Sequence, residues 1–290
     1  MKHKAIKSKE KWASLGEIRM RYLDSEGDGP IILALHGLAS SAHWYDLIAP
    51  EFGLTHRTII PDQRGHGKTT QAPTGYDWQT LGSDVIGLLD HVGTEECALL
   101  GHSWGGNVAI NVAAAYPQRI SSLVLIDGGF FGARLQNHTT WEEFKERASP
   151  RDVSGTREEF LARIEGQLQI CWSDDIKRIV QSMVWEDRDG EIHDLLHPQN
   201  HEQVMHAMWH NPASAIWPRI LTETLIVAAD PTPERALNEF TIRKKEMVKI
   251  AAREIKNSRV HWIPETIHDI GYHKPKELAE VIVNFLSRSA

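Results

Sequence analysis

Apolar residues fall in short, unbroken runs along the first half of the chain. Ile31 to Leu35, Thr58 to Pro61, Cys97 to Leu100 and Ile120 to Ile126 are each a few residues long and mostly aliphatic. Runs of this length without polar alternation predict strands of a sheet covered on both faces. Trp78 to Val92 instead carries Leu81, Val85, Leu88 and Leu89 near three-to-four spacing, and Asn107 to Tyr116 alternates small and aliphatic residues, so both predict helices. Upstream, Trp12 to Ser14 and Glu17 to Leu23 flank Leu15-Gly16 as an opening hairpin, and Asp24 to Pro30 reads as a turn. Strands alternating with helices predict a mainly parallel sheet with right-handed crossovers, whose ligands sit at the carboxyl ends of the strands.

The pattern changes between Gly132 and Pro218. Charged helical stretches replace strand signals there, and five of the ten tryptophans, Trp141, Trp172, Trp185, Trp209 and Trp217, are scattered through the segment. This predicts an inserted helical cap over residues 132–218, with 1–131 and 219–290 forming one α/β core. Strand signals return at Thr224 to Ala229, ending at Asp230-Pro231. Thr232-Pro233-Glu234 resembles a helix start, with the helix running toward Lys256. Val260 to Ile263 is the last strand, and Pro275 opens a terminal helix with Leu278, Val281, Ile282 and Phe285 on its inner face.

The candidate chemistry lies where Cys97 to Leu100 ends in Gly101-His102-Ser103-Trp104-Gly105-Gly106. A serine between glycines on a strand-to-helix turn fits G-x-S-x-G, which projects a hydroxyl past the strand end beside the next backbone N–H, here that of Trp104. His36-Gly37 follows the strand ending at Leu35, Asp62-Gln63-Arg64-Gly65-His66-Gly67 follows the next, and His268 lies between the last strand and the terminal helix. In these landmarks and their order the chain resembles the α/β-hydrolase fold family along nearly its whole length. The resemblance implies a mostly parallel central sheet flanked by helices, Ser103 as nucleophile, His268 as base, and an oxyanion hole made by the N–H groups of Leu38 and Trp104. His102 is then the variable residue of the elbow, and Asp62 to Gly67 braces a loop. Relatives that open epoxides or cleave carbon–halogen bonds use an aspartate nucleophile, so a serine at 103 argues against both.

The triad acid has two candidates. Asp230 ends the strand after the cap, where most of the family carries the acid, and Asp127 ends the strand before it, a position used by a minority. Consecutive strands are usually neighbours, so the Asp230 loop is expected beside the loop bearing His268, and Asp230 is the preferred acid with Asp127 the alternative. The implied activity is cleavage of a carboxylic ester, thioester or lactone through an acyl-enzyme. The alternatives are a carbon–carbon bond hydrolase with the same triad and a receptor-like protein that binds a small ligand without turnover.

Composition narrows the partners. The formal charge of −7 disfavours nucleic acid and anionic lipid, and no apolar run reaches the roughly 18 residues of a membrane span. Five lysines in Met1 to Lys11 precede no apolar run and suggest a solvated arm, so a cytoplasmic protein is expected. The segment 132–218 holds nine basic and fifteen acidic residues, which disfavours strongly anionic substrates and leaves a small apolar or aromatic one. Cys97 and Cys171 read as reduced thiols. His193, His197, His201, His206 and His210 recur every four or five residues, but Pro198 interrupts the spacing, so neither a metal nor any other cofactor is expected.

Overall fold

The computed structural model describes residues 8–130, 140–233 and 238–288. Its strands are β1 (Lys9–Leu15), β2 (Ile18–Asp24), β3 (Ile31–Leu35), β4 (Arg57–Pro61), β5 (Cys97–His102), β6 (Ile120–Ile126), β7 (Val184–Glu186), β8 (Ile192–Asp194), β9 (Thr224–Ala229) and β10 (Ser258–Ile263). Eight of them form one sheet in the order β1-β2-β4-β3-β5-β6-β9-β10. The β1-β2 and β2-β4 pairs are antiparallel, and every pairing from β4 to β10 is parallel. Parallel neighbours need crossovers, and helices lie on them: α1 (Ala49–Phe52), α2 (Trp78–Val92), α3 (Trp104–Ala115) and α8 (Glu239–Glu254), while α9 (Ile270–His273) and α10 (Pro275–Leu286) follow the last strand. Between β6 and β9 lie α4 (Trp141–Arg147), α5 (Arg157–Gln167), α6 (Asp174–Gln181) and α7 (Pro198–His210).

The apolar strands divide their side chains between two cores because successive residues point to opposite faces. Leu33, Leu35, Leu99, Leu123, Leu125 and Ile226 pack with α2, α3 and α8 on one side. Ile32, Ala34, Leu100, Val124, Ile126 and Val227 pack with α1 and α10 on the other. Helix α2 shows why its stretch is helical. Asp77 caps it by accepting from Thr80 N, Gly93 ends it in the left-handed region at φ 75°, and Leu81, Val85, Leu88 and Leu89 are buried. Each such side chain contributes roughly 1.5–3 kcal/mol by leaving water.

Several expectations shift. Lys9 to Lys11 belong to an edge strand rather than a frayed arm, because β1 pairs with β2 from Lys9 through Leu15. The segment between β6 and β9 is not wholly helical, since β7 and β8 form a small antiparallel hairpin. Helix α8 starts at Glu239 with Asn238 as its cap, not at Thr232. Glu234 and the expected core boundary at 131/132 lie outside the described residues. No helix among the described residues is long and apolar enough to cross a membrane.

Candidate active site

The turn from β5 to α3 holds Ser103 at φ 51° and ψ −121°. A non-glycine residue there is strained by about 1–3 kcal/mol, and Gly105 and Gly128 make the strain tolerable by letting other backbone close in around it. A Cβ on Gly105 would lie 2.5 Å from the carbonyl oxygens of Leu35 and His36, and one on Gly128 would lie 2.1 Å from the Ser103 carbonyl oxygen. The turn carrying Ser103 is therefore wedged between the end of β3 and the loop after β6. Trp104 occupies the first helical position of α3, so its N–H has no intrahelical acceptor.

The loop after β3 is held by two buried imidazoles. His36 Nδ1 meets Gly37 O at 2.7 Å and its Nε2 accepts from Gln63 N at 3.1 Å. His66 Nδ1 meets Arg64 O at 2.9 Å and its Nε2 accepts from Ala39 N at 3.1 Å. In each ring one nitrogen must donate to a carbonyl and the other must accept from an N–H, which requires the neutral Nδ1–H tautomer. Burial favours the same state, pushing His36 down to about 4 and His66 down to about 3. Ala39 takes φ 53°, so Leu38 N–H sits in a loop clipped by His66 on one side and by Arg151 on the other. Arg151 Nη2 donates to Ala39 O at 2.6 Å while its Nε pairs with Asp194 Oδ2 at 2.7 Å, fastening the segment between β6 and β9 to this loop.

His268 meets Asp127, not Asp230. Its Nδ1 lies 2.7 Å from Asp127 Oδ2. Asp127 leaves β6 at φ 41°, which turns its carboxylate across the end of β9, where Oδ1 accepts from Ala229 N at 2.9 Å. The expectation that the Asp230 and His268 loops adjoin is met by the backbone, since Asp230 N donates to Ile263 O and Thr266 N to Asp230 O, each at 2.9 Å. The Asp230 side chain nevertheless turns outward and pairs with Lys245 at 2.9 Å, with 37% of it exposed. Strand adjacency fixed which loops meet; a side-chain direction then decided which acid reaches the ring.

A residue not anticipated from sequence completes the group. Lys244 of α8, nearly buried, places Nζ 2.6 Å from Asp127 Oδ1 and 2.8 Å from Oδ2. Its signal was only a lysine on the buried face of an amphipathic helix. Burial alone would raise the Asp127 carboxyl, but the hydrogen bond and charge of His268 and the Lys244 ammonium outweigh it and hold it below the usual carboxylate range. For His268 desolvation works downward, and the hydrogen bond and charge of Asp127, with Asp269, overcome it to raise the imidazole above its ordinary value.

His102 packs beneath this pair. Its ring stacks on Trp44 at 3.9 Å, its Nε2 lies 3.3 Å from the His268 carbonyl, and burial lowers it to about 4. Trp44 Nε1 donates to Asp269 Oδ1 at 2.9 Å. Trp44 and His102 thus fix the two residues of the loop that presents the His268 ring. A cavity of about 460 Å³ opens over Ser103 and His268, walled by Leu38, Trp44 and Tyr272 and, from the β6-to-β9 segment, by Ile164, Leu168, Val180 and Met183. Its polar wall carries Arg151 and Arg163 against Asp152 and Asp269, so the acidic excess of that segment is not mirrored where a ligand would sit.

Other singled-out residues do not join the site. Arg64 is buried against Asp84 at 2.8 Å and Glu17 at 2.5 Å. Asp62 accepts from Ala42 N and Lys68 N, bracing the loops around it. The five spaced histidines diverge: His193 pairs with Asp187, His197 caps α7, His201 is buried, and His206 and His210 pack by Trp141. Cys97 and Cys171 are both free.

The chain belongs to the α/β-hydrolase fold family, whose model matches residues 30–182, just over half of the 290 residues. A 2-(acetamidomethylene)succinate hydrolase of Mesorhizobium japonicum is 33% identical over 102 residues, 35% of this chain and 37% of that one. A soluble epoxide hydrolase of a Corynebacterium species is 31% identical over 115 residues, 40% of each chain. The matched stretch thus spans well under half the length of these curated relatives. Among solved structures, E-2-(acetamidomethylene)succinate hydrolase superposes with a TM-score of 0.78 at 21% identity, covering 97% of this chain and 99% of that one. The thioesterase domain from the curacin biosynthetic pathway superposes at 0.74 with 16% identity, covering 95% and 99%. These likenesses establish the fold.

Proposed function

We propose that the protein is a serine hydrolase that cleaves a carboxylic ester, thioester or lactone through an acyl-enzyme. Ser103 is the nucleophile, His268 its base, Asp127 the orienting acid, and the N–H groups of Leu38 and Trp104 the oxyanion hole. The single observation that carries this reading is the 2.7 Å contact between His268 Nδ1 and Asp127 Oδ2 on the rim of the cavity that Ser103 lines. A carboxylate on Nδ1 keeps the proton there and leaves Nε2 unprotonated, the state a serine hydroxyl needs in order to attack a carbonyl.

Attack forms the Ser103 Oγ–carbon bond as the hydroxyl proton passes to His268 Nε2. The carbonyl oxygen, now negative, is held by the two backbone N–H groups. Collapse expels the leaving group, which takes the proton from His268, and water activated by the same ring then releases the acid. The segment between β6 and β9 acts in this reading as a cap over the acyl pocket, its apolar residues facing the non-reacting part of a small substrate. The resemblance implies that epoxide-opening members of the family use an aspartate nucleophile, so the serine at 103 favours acyl transfer over epoxide opening.

The test is labelling with a fluorophosphonate probe followed by intact-mass and peptide analysis, alongside turnover of p-nitrophenyl acetate and butyrate. One probe per chain, on Ser103, with multiple turnover supports the reading. Probe binding without covalent labelling, or turnover retained in Ser103→Ala, refutes it, and stoichiometric ligand binding without turnover favours a receptor-like protein.

A further inference from the structure

We propose that Lys244 is a positioning residue of the catalytic group: its ammonium clamps both oxygens of Asp127 and offsets the negative charge that Asp127 presents to His268. The inference rests on the reading of His268 as base only for its catalytic consequence. The geometry stands by itself.

A lysine ammonium nearly free of solvent is costly to bury without an opposite charge. Lys244 has one, and the contact is two-sided, at 2.6 Å to Oδ1 and 2.8 Å to Oδ2 of Asp127. Ala229 N holds Oδ1 and His268 Nδ1 holds Oδ2, so each carboxylate oxygen carries one fixed donor besides Lys244. Rotating the carboxylate would break all of these contacts together. The next residue along α8, Lys245, meets Asp230 on the outside at 2.9 Å. Two consecutive lysines thus claim the two strand-end aspartates, and only the buried one stands behind the imidazole.

The charge balance gives the sign. With Lys244 present, the buried Lys244–Asp127 pair is neutral, and protonating His268, whose side chain is 45% exposed, gives the group a net positive charge. Without it, protonation of His268 neutralises Asp127 and is favoured. Among the described residues, the groups that also bear on the imidazole include Asp269 beside it, His102 with its ring centroid 4.9 Å away, and Ser103 on the same cavity. Asp269 pulls toward protonation, while His102 is neutral over the working range because burial lowers it to about 4. Lys244 therefore opposes Asp127 and Asp269, and keeps the ring proton-free to lower pH than the two carboxylates would allow.

The experiment is an NMR titration of the His268 Cε1–H resonance in the full chain, assigned by its absence in His268→Gln. It compares wild type, Lys244→Met, Lys244→Gln and Asp127→Asn, with circular dichroism confirming each fold. Both lysine variants are expected to titrate about one pH unit higher than wild type, within the range of single-charge effects. Asp127→Asn, which leaves the ammonium unopposed, is expected to titrate below about 6.5, the ordinary imidazole value. In parallel, the acid limb of the fluorophosphonate labelling rate should move upward with the lysine variants. An unmoved midpoint in a folded lysine variant, or an Asp127→Asn midpoint at or above the ordinary value, overturns the proposal. A uniform slowing of labelling at all pH with an unchanged limb also overturns it, since that is what a merely structural lysine gives. The NMR shifts need no turnover, so failure of Ser103 to label defeats the hydrolase reading while the shifts alone still support the role of Lys244.

Discussion

Replacing Asp127 by asparagine removes a charge and turns one carboxylate oxygen into a donor, and the surroundings of that side chain leave the new amide no good orientation. If the amide oxygen stays with Ala229 N and Lys244 Nζ, now 2.9 and 2.6 Å from Oδ1, the NH₂ group faces His268 Nδ1. That nitrogen must then accept, which drives the ring proton to Nε2, the atom required to take the proton of Ser103. If the amide flips, its NH₂ group opposes an ammonium and a backbone N–H. Turnover should fall on the order of 10⁴, about 5 kcal/mol in the barrier. Leaving Lys244 buried without an anion should also cost about 3–5 kcal/mol of stability, so the comparison belongs at a temperature where circular dichroism shows both variants folded. Asp230→Asn loses only a half-exposed pair with Lys245, worth about 0–1 kcal/mol, and should keep turnover within about twofold. The assay is steady-state hydrolysis of p-nitrophenyl acetate by the two variants side by side, together with the rate of fluorophosphonate labelling. A folded Asp127→Asn variant that turns over like wild type, or a dead Asp230→Asn variant, refutes the assignment of the acid.

Activity should decline on acidification with a midpoint above about 6.5, because His268 must be neutral and its imidazole is raised by Asp127; a pH–rate profile flat from 5 to 8 contradicts this. Stability should fall as the pH drops from about 6.5 toward 4, since His36, His66 and His102 are depressed in the folded state and the unfolded chain takes up their protons first; each contributes a slope of about 1.4 kcal/mol per pH unit, read as melting temperature against pH. His268, raised rather than depressed, acts oppositely, and its stabilising contribution is lost as the pH rises through its folded value. Gly128→Ala should destabilise the fold by about 3 kcal/mol or more, because the added Cβ meets the Ser103 backbone rather than a movable side chain, and thermal unfolding measures the loss. His66→Leu removes the acceptor for Ala39 N–H and should reduce kcat more than KM, the split expected if the loop carrying Leu38 works in the transition state; an unchanged kcat speaks against that loop as the oxyanion donor.

Much of the architecture was already written in local patterns. Aliphatic runs such as Ile31 to Leu35 have one stable use, as strands covered on both faces, and the helical spacing from Trp78 to Val92 gave that helix its bounds. Gly101 to Gly105 identified the tight turn from β5 to α3 that carries Ser103, since glycines beside a serine at a strand end are a local requirement of close backbone approach. The short β7-β8 hairpin escaped notice because three-residue strands leave too little periodicity to read. The choice between Asp127 and Asp230 was beyond any local pattern. Both end parallel strands at the same edge of the sheet, and the loops of β9 and β10 adjoin as chain order implies. Only the assembled tertiary structure sets Asp127 at φ 41° so that its carboxylate crosses β9, and only there does α8 bring Lys244 behind it and Lys245 to its rival. Sequence determines which strand ends and loops carry Ser103, Asp127, Asp230 and His268, because those follow from nearest-neighbour geometry. Which acid faces the histidine depends on side-chain directions and on a charge delivered more than a hundred residues away, and those exist only once the helix has packed.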